Sequence, residues 1–426
     1  MANTMRVLLA RGSFATLGGA EREFINTANQ LHKSIKVDLA ALDFPEHCRD
    51  LINPDIPLII PENEYIRPSS ALDEILARGE TVAEKLWTEL GIDWSNYDLV
   101  HLSNGYGSLG IVPLIPNSIP IHYRCLEPPR WLYDDVLHRH PNGKPKRPML
   151  ITKAAFSLQR KYDRKKVKEI LSRPGSAISG NSPWTMKTCA EVYSLDFDED
   201  AINGQPPRRD DEGRSISSTF VYAAVNLDEW MNTEDLDSDN CEKETGELPE
   251  KYVVTIGNIS YGKGTYDTVS SLESTGIALI QAGGGTSQDK QDLVRYGKSL
   301  GVEVLCMPRL SSQALRWLVM NSVAMVSHAR NEPFGLTPLE AMAIGIPALM
   351  VDEGGFHHTM KGSNSGLAIN RENREAWLKA YSDSQIQETR DVWSKNGKQH
   401  VSQGFGYEDQ EKALMMIWND CIENKA

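Results

Sequence analysis

The chain has 426 residues, 40% hydrophobic and 24% charged, with 32 Gly and 22 Pro. That composition suits two or three globular domains and excludes collagen-like, fully disordered and coiled-coil chains. The 45 Lys and Arg against 58 Asp and Glu give a formal charge of −13, which argues against a general nucleic-acid binder, because neutralising phosphates needs a basic surface. No apolar run reaches the roughly 18 residues that span a bilayer. MANTMR leads directly into Val7–Ala10 with no signal-peptide pattern. Cys48, Cys125, Cys189, Cys241, Cys306 and Cys421 are scattered and form no C-x-x-C. The expectation is a cytoplasmic protein without a disulfide framework, zinc site or other metal.

In chain order, Arg6–Ala10 is a short apolar run, followed by Gly12, the pair Gly18-Gly19 and a helical stretch Ala20–Leu31. Buried strands are expected at Ile35–Leu42, Tyr97–Leu102, Ile119–Tyr123 and Ala177–Gly180, with helices near 71–89 and 149–172. Residues 144–173 carry a local charge of +9, with Ile151, Ala155, Leu158 and Tyr162 at helical spacing. This basic helix is read either as a solvated face or as a peripheral contact with anionic membrane. Residues 196–250 carry a local charge of −13 and read as solvated loops around one strand, Thr219 to Val225.

Beyond residue 250 the alternation is cleaner. Apolar runs Tyr252–Gly257, Ile277–Ala282, Val302–Met307, Val323–Ser327 and Ile346–Val351 are separated by helical segments Thr265–Leu272, Asp289–Leu300, Ser312–Asn321 and Pro338–Ala343. Such alternation implies parallel sheets covered by helices on both faces. The fold expected is α/β, with two Rossmann-like domains facing across a cleft. Their limits are 1–200 for the first, an acidic linker over 201–250, and 251–404 for the second.

The strongest local signal is Glu332-Pro-Phe-Gly-Leu-Thr-Pro-Leu-Glu340. A strand ends near His328, and a helix is expected to start with Thr337 as N-cap and Pro338 at N1. Backbone N–H groups of Phe334, Gly335 and Leu336 can then converge with the helix dipole on an anion such as a diphosphate. Glu332 and Glu340 would face that pocket and accept from sugar hydroxyls. Thr337-Pro-Leu-Glu340 also spells a capping box, which leaves Glu340 with two readings.

This segment, continued by Ala341-Met-Ala, Gly345-Ile-Pro and Gly354-Gly355, resembles the E-x7-E motif of retaining glycosyltransferases of family four, which have the GT-B fold. Gly18-Gly19-Ala20-Glu21 is similar to that family's first-turn glycine loop. Glu127-Pro-Pro-Arg130-Trp131-Leu-Tyr133 is similar to its acceptor-side loop, and Lys263-Gly264 to its phosphate-contacting pair. Gly404-Phe-Gly-Tyr407 resembles the point where the last helix crosses back to the N-terminal domain, which implies that the helix over 405–426 completes the first domain. The resemblance implies a nucleotide-diphosphate sugar held by the C-terminal domain, a glycan or lipid-linked acceptor on the N-terminal one, retention of configuration, and no cofactor or metal. Carried over by position, Glu332 would contact the sugar, Glu340 the ribose diol and Lys263 the diphosphate, with Met307 beside the base. Asn258 and Leu126 stand where the family usually has Arg and often His. They motivate a second reading, a non-catalytic GT-B scaffold that binds nucleotide sugar or glycan.

Other features are weaker. Gly257–Gly264 nearly spells a P-loop, but Gly264 replaces the hydroxyl residue that holds magnesium, so an NTPase is a third reading. Gly283-Gly284-Gly285 lacks dinucleotide spacing and reads as a turn. Asp235-x-Asp237-x-Asp239 reads as a solvated charge run, and His101 and His122 as core or surface residues. Trp131 and Tyr133 could stack on an acceptor sugar or pack the domain.

Overall fold

The computed structural model describes residues 5–15, 18–62, 65, 78–148 and 154–425, the Arg78 side chain excepted. The expected alternation becomes two separate parallel sheets, each with its own core. The chain divides into two units: 1–133 with 150–224 and 407–426, and 134–149 with 225–406.

The first unit holds β1 (Arg6–Arg11), β2 (Lys36–Ala41), β3 (Leu58–Ile59), β4 (Leu99–Ser103), β5 (Ile121–Arg124), β6 (Ala177–Gly180) and β7 (Thr219–Phe220). They pair in the order β3-β2-β1-β4-β5-β6-β7, and every pair is parallel. Alternation along a strand sends successive side chains to opposite faces. Leu8 and Ala10 therefore join one core with Trp87, Val100, Tyr123 and Val167. Val7 and Leu9 join the other with Phe24, Leu31, Leu99 and Trp418.

The C-terminal helix Tyr407–Glu423 belongs to this unit and buries Ala413, Leu414, Ile417, Trp418 and Cys421 in that second core. Polar bonds fix its position. Trp418 Nε1 donates to His122 Nδ1 at 2.8 Å. His122 Nδ1 is therefore an acceptor, so its proton sits on Nε2 and is donated to Ser179 Oγ at 2.7 Å. His101 Nδ1 lies 3.1 Å from His122 Nδ1, whose single lone pair already accepts from Trp418. Burial pushes His101 down to about 3 and His122 well below the usual imidazole range, so both rings are neutral core residues. Asp420 pairs with Arg209 at 2.6 Å, and Gln410 bridges Thr27 and Glu23 at 2.7 and 2.6 Å.

The second unit holds β8 (Tyr252–Ile256), β9 (Ala278–Ala282), β10 (Val304–Cys306), β11 (Ala324–Ser327), β12 (Ala348–Val351) and β13 (Gly366–Ile369). Their order is β10-β9-β8-β11-β12-β13, again all parallel. In both sheets the order reverses beside the unit's first strand, between β1 and β4 and between β8 and β11. Open parallel sheets bind ligands at such points, outside the carboxyl ends of the strands.

Several expectations shift. The stretch 201–250 is divided between the units, with 201–224 in the first and 225–250 in the second. The latter forms helices Leu227–Met231 and Ser238–Thr245. The Asp-rich run is not simply solvated: Asp235 pairs with the buried Arg316 at 3.1 Å, and Asp237 caps a helix through Asn240 N–H. The strand expected over Thr219 to Val225 is only Thr219–Phe220. Residues 134–149 belong to the second unit, where Arg139 lies over the Tyr261 ring at 5.3 Å.

The helices expected near 71–89 and 149–172 are described as Arg78–Glu89 and Ser157–Leu171; residues 71–77 and 149–153 lie outside the described residues. On the basic helix, Lys166 is buried against Glu84 at 2.9 Å, whereas Lys161, Arg164, Lys165 and Lys168 are exposed. No helix among the described residues is long and apolar enough to cross a membrane.

Candidate functional site

The loops leaving β8 and β11 carry the residues singled out in the sequence. Lys263 is in the first loop and Glu332 in the second, 69 residues apart, and Lys263 Nζ donates to Glu332 Oε2 at 2.8 Å. The pair stays reachable, since the side chains are 40% and 17% exposed.

Glycines let these loops approach. Gly264 has φ 62°, and a Cβ there would lie 1.9 Å from His328 O, so the backbone leaving β8 rests directly on the end of β11. The near-P-loop spelling thus has a packing cause: the residue after Lys263 must be glycine for contact and conformation. A Cβ at Gly355 would lie 2.4 Å from Pro333 O, and Gly355 N–H donates to Glu332 O at 2.6 Å. The loop after β12 thereby fixes the Glu332 backbone. The run Gly283–Gly285 serves packing too, with Ile259 N–H bonded to Gly284 O at 2.8 Å and Gly257 N–H to Ala282 O at 2.9 Å.

The helix after Glu332 runs Leu336–Ile344, and its N-cap is Gly335 at φ 91° rather than Thr337. Gly335 has no side chain to cap with, so the expected capping box with Thr337 at N-cap and Glu340 at N3 is corrected. The cause is steric: a Cβ at 335 would lie 2.4 Å from the Phe356 ring, and a positive φ is available to glycine. Pro338, Leu339 and Ala341 to Ile344 are buried, leaving Leu336, Thr337 and Glu340 as the one partly open face. Phe334 is buried, its ring 6.2 Å from that of Phe405. Met307 is buried at the end of β10, its N–H bonded to Gln281 O at 2.9 Å, and Asn258 is exposed in the loop after β8.

The sequence pattern missed a supporting layer. Arg330 lies over the Tyr261 ring at 4.0 Å and donates to Tyr261 O at 3.0 Å and Asp267 Oδ2 at 2.6 Å. Arg371 grips Glu353 with two bonds, at 2.9 and 2.8 Å, and donates to His328 O at 2.9 Å. His328 stacks on Trp377 with ring centroids 4.0 Å apart, and burial pushes its pKa well below the usual imidazole range. Gln281, 1% exposed, donates to Gly257 O at 2.6 Å and so holds the backbone under the Lys263 stem. None of these residues falls in a motif; Arg371 follows β13, a strand with only Ile369 buried and therefore no apolar run to read.

The remaining singled-out residues belong to the first unit. Gly18 is the N-cap of helix Gly19–Leu31, its N–H bonded to Glu21 Oε2 at 2.9 Å. Arg130 pairs with Glu127 at 3.6 Å. Trp131 meets Phe156 edge-on at 5.4 Å, and Tyr133 donates to Asp163 Oδ2 at 2.7 Å. The Tyr133 hydroxyl is therefore committed to packing the basic helix, as one of its two expected readings had it. Leu126 is buried, with its N–H bonded to Asn104 Oδ1 at 3.1 Å.

Residues 238–400 match the family model described as "Glycosyl transferases group 1". An uncharacterized glycosyltransferase of Methanocaldococcus jannaschii is 24% identical over 182 residues, 41% of this chain and 46% of that protein. The alpha-1,3/1,6-mannosyltransferase of Dictyostelium discoideum is 28% identical over 167 residues, 35% and 39% of the two chains. The matched stretches thus span less than half the length of these relatives. Among solved structures, a glycosyltransferase from Rickettsia africae superposes with a TM-score of 0.67 at 15% identity, covering 99% of this chain and 100% of that one. Anabaena HepE, in complex with UDP and glucose, superposes with a TM-score of 0.65 at 15% identity, covering 96% and 98%. The fold is GT-B.

Proposed function

We propose that this chain, whose residues 238–400 match the glycosyl transferases group 1 model, is a retaining, metal-independent transferase of a hexose-type sugar. Its donor is a nucleotide-diphosphate sugar and its acceptor a glycan or a lipid-linked glycan. The observation that carries the reading is the Lys263–Glu332 pair at the β8/β11 reversal, where a parallel sheet presents its ligand site.

In this reading the diphosphate takes the Lys263 ammonium and the N–H groups at the start of helix Leu336–Ile344. Glu332 accepts from hydroxyls of the transferred sugar and Glu340 from the ribose diol. As the bond from anomeric carbon to phosphate oxygen breaks, the leaving diphosphate gains charge. Lys263 and the helix start stabilise that charge in place before the reaction. The acceptor hydroxyl attacks from the face the diphosphate is leaving, and its proton passes to the departing phosphate oxygen. Arg130 and Trp131 are the acceptor-side candidates of the first unit. Exposed Lys161, Lys165 and Lys168 would hold that unit at an anionic membrane carrying a lipid-linked acceptor.

Relatives that bear on the class include the mannosyltransferase above and HepE, whose crystal structure holds UDP and glucose. The test is a melting curve with UDP, GDP and ADP, each with EDTA and with magnesium, followed by turnover of the matching sugar nucleotides. One diphosphate should stabilise the protein equally in EDTA, and its sugar should be consumed in the presence of acceptor. A shift seen only with a divalent cation would overturn metal independence. Binding without turnover across an acceptor panel would favour the scaffold reading, for which Asn258 at an expected arginine position speaks.

A further inference from the structure

A second polar cavity, of about 560 Å³, opens between helices Thr265–Ser271 and Ser287–Ser299 of the second unit. Its size falls within the roughly 300–1,000 Å³ of ordinary ligand pockets. The first helix contributes Tyr266, Asp267 and Ser270, the second Asp292, Arg295 and Tyr296, each set one turn apart so that its members share a face. The Tyr266 and Tyr296 rings are 4.9 Å apart and tilted by 34°, and Ser270 Oγ lies 2.7 Å from the Tyr296 hydroxyl.

The charges on these walls are already matched. Asp267 Oδ2 accepts from Arg330 at 2.6 Å and from Arg371 at 3.4 Å, and Asp292 pairs with Arg295 one turn away. An anion would meet two carboxylates here, and a cation would have to displace guanidinium groups. What the walls offer is oriented carboxylate, hydroxyl and guanidinium groups beside aromatic rings, with each carboxylate paired to a guanidinium. Carboxylates accept from paired hydroxyls, guanidinium donates to hydroxyl and ring oxygens, and the negative face of an aromatic ring attracts C–H edges. A neutral polyhydroxylated ring satisfies all three.

We propose that this cavity is a carbohydrate-binding site separate from the Lys263–Glu332 site. Helix Thr265–Ser271 starts two residues after Lys263, and Asp267 on it anchors Arg330, two residues before Glu332. A glycan bound there would be kept beside the transfer site. That use rests on the transferase reading, whereas the binding itself does not.

The test is saturation-transfer NMR on the full chain with maltotriose and methyl α-D-mannopyranoside as probes. Wild-type protein should transfer saturation to ring protons of at least one probe. Asp292→Ala removes charged acceptors from a partly exposed position and should weaken binding by roughly tenfold or more, with an unchanged melting curve. Tyr266→Ala should abolish the signal, and Glu332→Gln should leave it intact. Silence from both probes in the wild type would overturn the proposal. So would a signal that survives Asp292→Ala and Tyr266→Ala, or one lost in Glu332→Gln, because the sugar would then sit elsewhere. Failure of nucleotide binding with the sugar signal intact would count against the transferase reading alone.

Discussion

The two sheets share one strand order, yet their reversal points are filled in opposite ways. Between β1 and β4 the space is taken by Arg11. Its guanidinium donates to Ser13 O at 3.2 Å, Ser103 Oγ at 3.0 Å and Asn104 O at 2.5 Å, and it pairs with Glu21. The Arg11 and Glu21 side chains are 7% and 10% exposed. Between β8 and β11 stand Lys263 and Glu332, far more open to solvent. The same topology thus gives one reversal point closed by the protein's own charges and another whose charges a ligand can reach. A sheet order marks where a site can be; the side chains delivered there decide whether one exists.

The largest effect expected from this contrast is on stability. Arg11→Ala leaves Glu21 buried without its cation and should cost about 3–5 kcal/mol. Lys263→Ala breaks a more exposed pair and should cost at most about 1 kcal/mol. Urea denaturation of both variants measures the difference, and equal costs would erase the distinction between a structural and a ligand-ready pair.

A second difference concerns charge inside the first unit. Asp163 on helix Ser157–Leu171 is 3% exposed; burial raises its carboxyl from 3.8 to about 6, against the lowering effect of the Tyr133 hydrogen bond. A raised carboxyl favours the fold in its protonated form. That contribution is complete below the unfolded value and is lost as pH rises through about 6. The shift corresponds to about 3 kcal/mol. Asp163→Asn, neutral throughout, should lose less stability than wild type between ~pH 4 and ~pH 7 by about that amount. Parallel pH curves of the urea midpoints would mean that Asp163 titrates as in the unfolded chain.

The finest contrast lies within the candidate site. The N-cap of this helix is Gly335, so Glu340 is not the N3 partner of a Thr337 capping box, and Glu340→Gln should hardly alter the melting curve. If Glu340 binds the ribose diol, the loss of a charged acceptor, at about 1.5–3 kcal/mol, should weaken nucleotide binding roughly 10- to 150-fold. Glu332→Gln should instead depress turnover while calorimetric affinity for the free nucleotide stays near wild type. Unchanged nucleotide affinity in Glu340→Gln would remove that residue from the site.

The strands and helices bearing Lys263 and Glu332 were legible because each is a short apolar run bounded by glycine and polar residues. Thr255 and Gln281 are the polar residues of β8 and β9, and neither interrupts the signal. The helix starts at Leu336, two residues before the expected Pro338. Thr337 and Pro338 have favourable capping chemistry, but contact of Phe356 with the backbone at 335 favours glycine there. The supporting arginines were invisible, since Arg330 and Arg371 are 41 residues apart and meet through Asp267. The fate of the acidic stretch was equally hidden: composition registers its charge, not that Arg209 reaches Asp420 and Arg316 reaches Asp235.

By itself the sequence determined the local and the periodic: alternating apolar runs, the glycines at strand exits, and the Glu332–Glu340 spacing. Those follow from backbone sterics and hydrophobic burial, which act over a few neighbouring residues. Only the tertiary structure decided which charges meet. It set Lys263 against Glu332, closed the first reversal point with Arg11, and set Trp418 of the C-terminal helix against His122. Pairings across 69, 10 and 296 residues depend on where the sheets place the strand ends, and no local pattern encodes that distance.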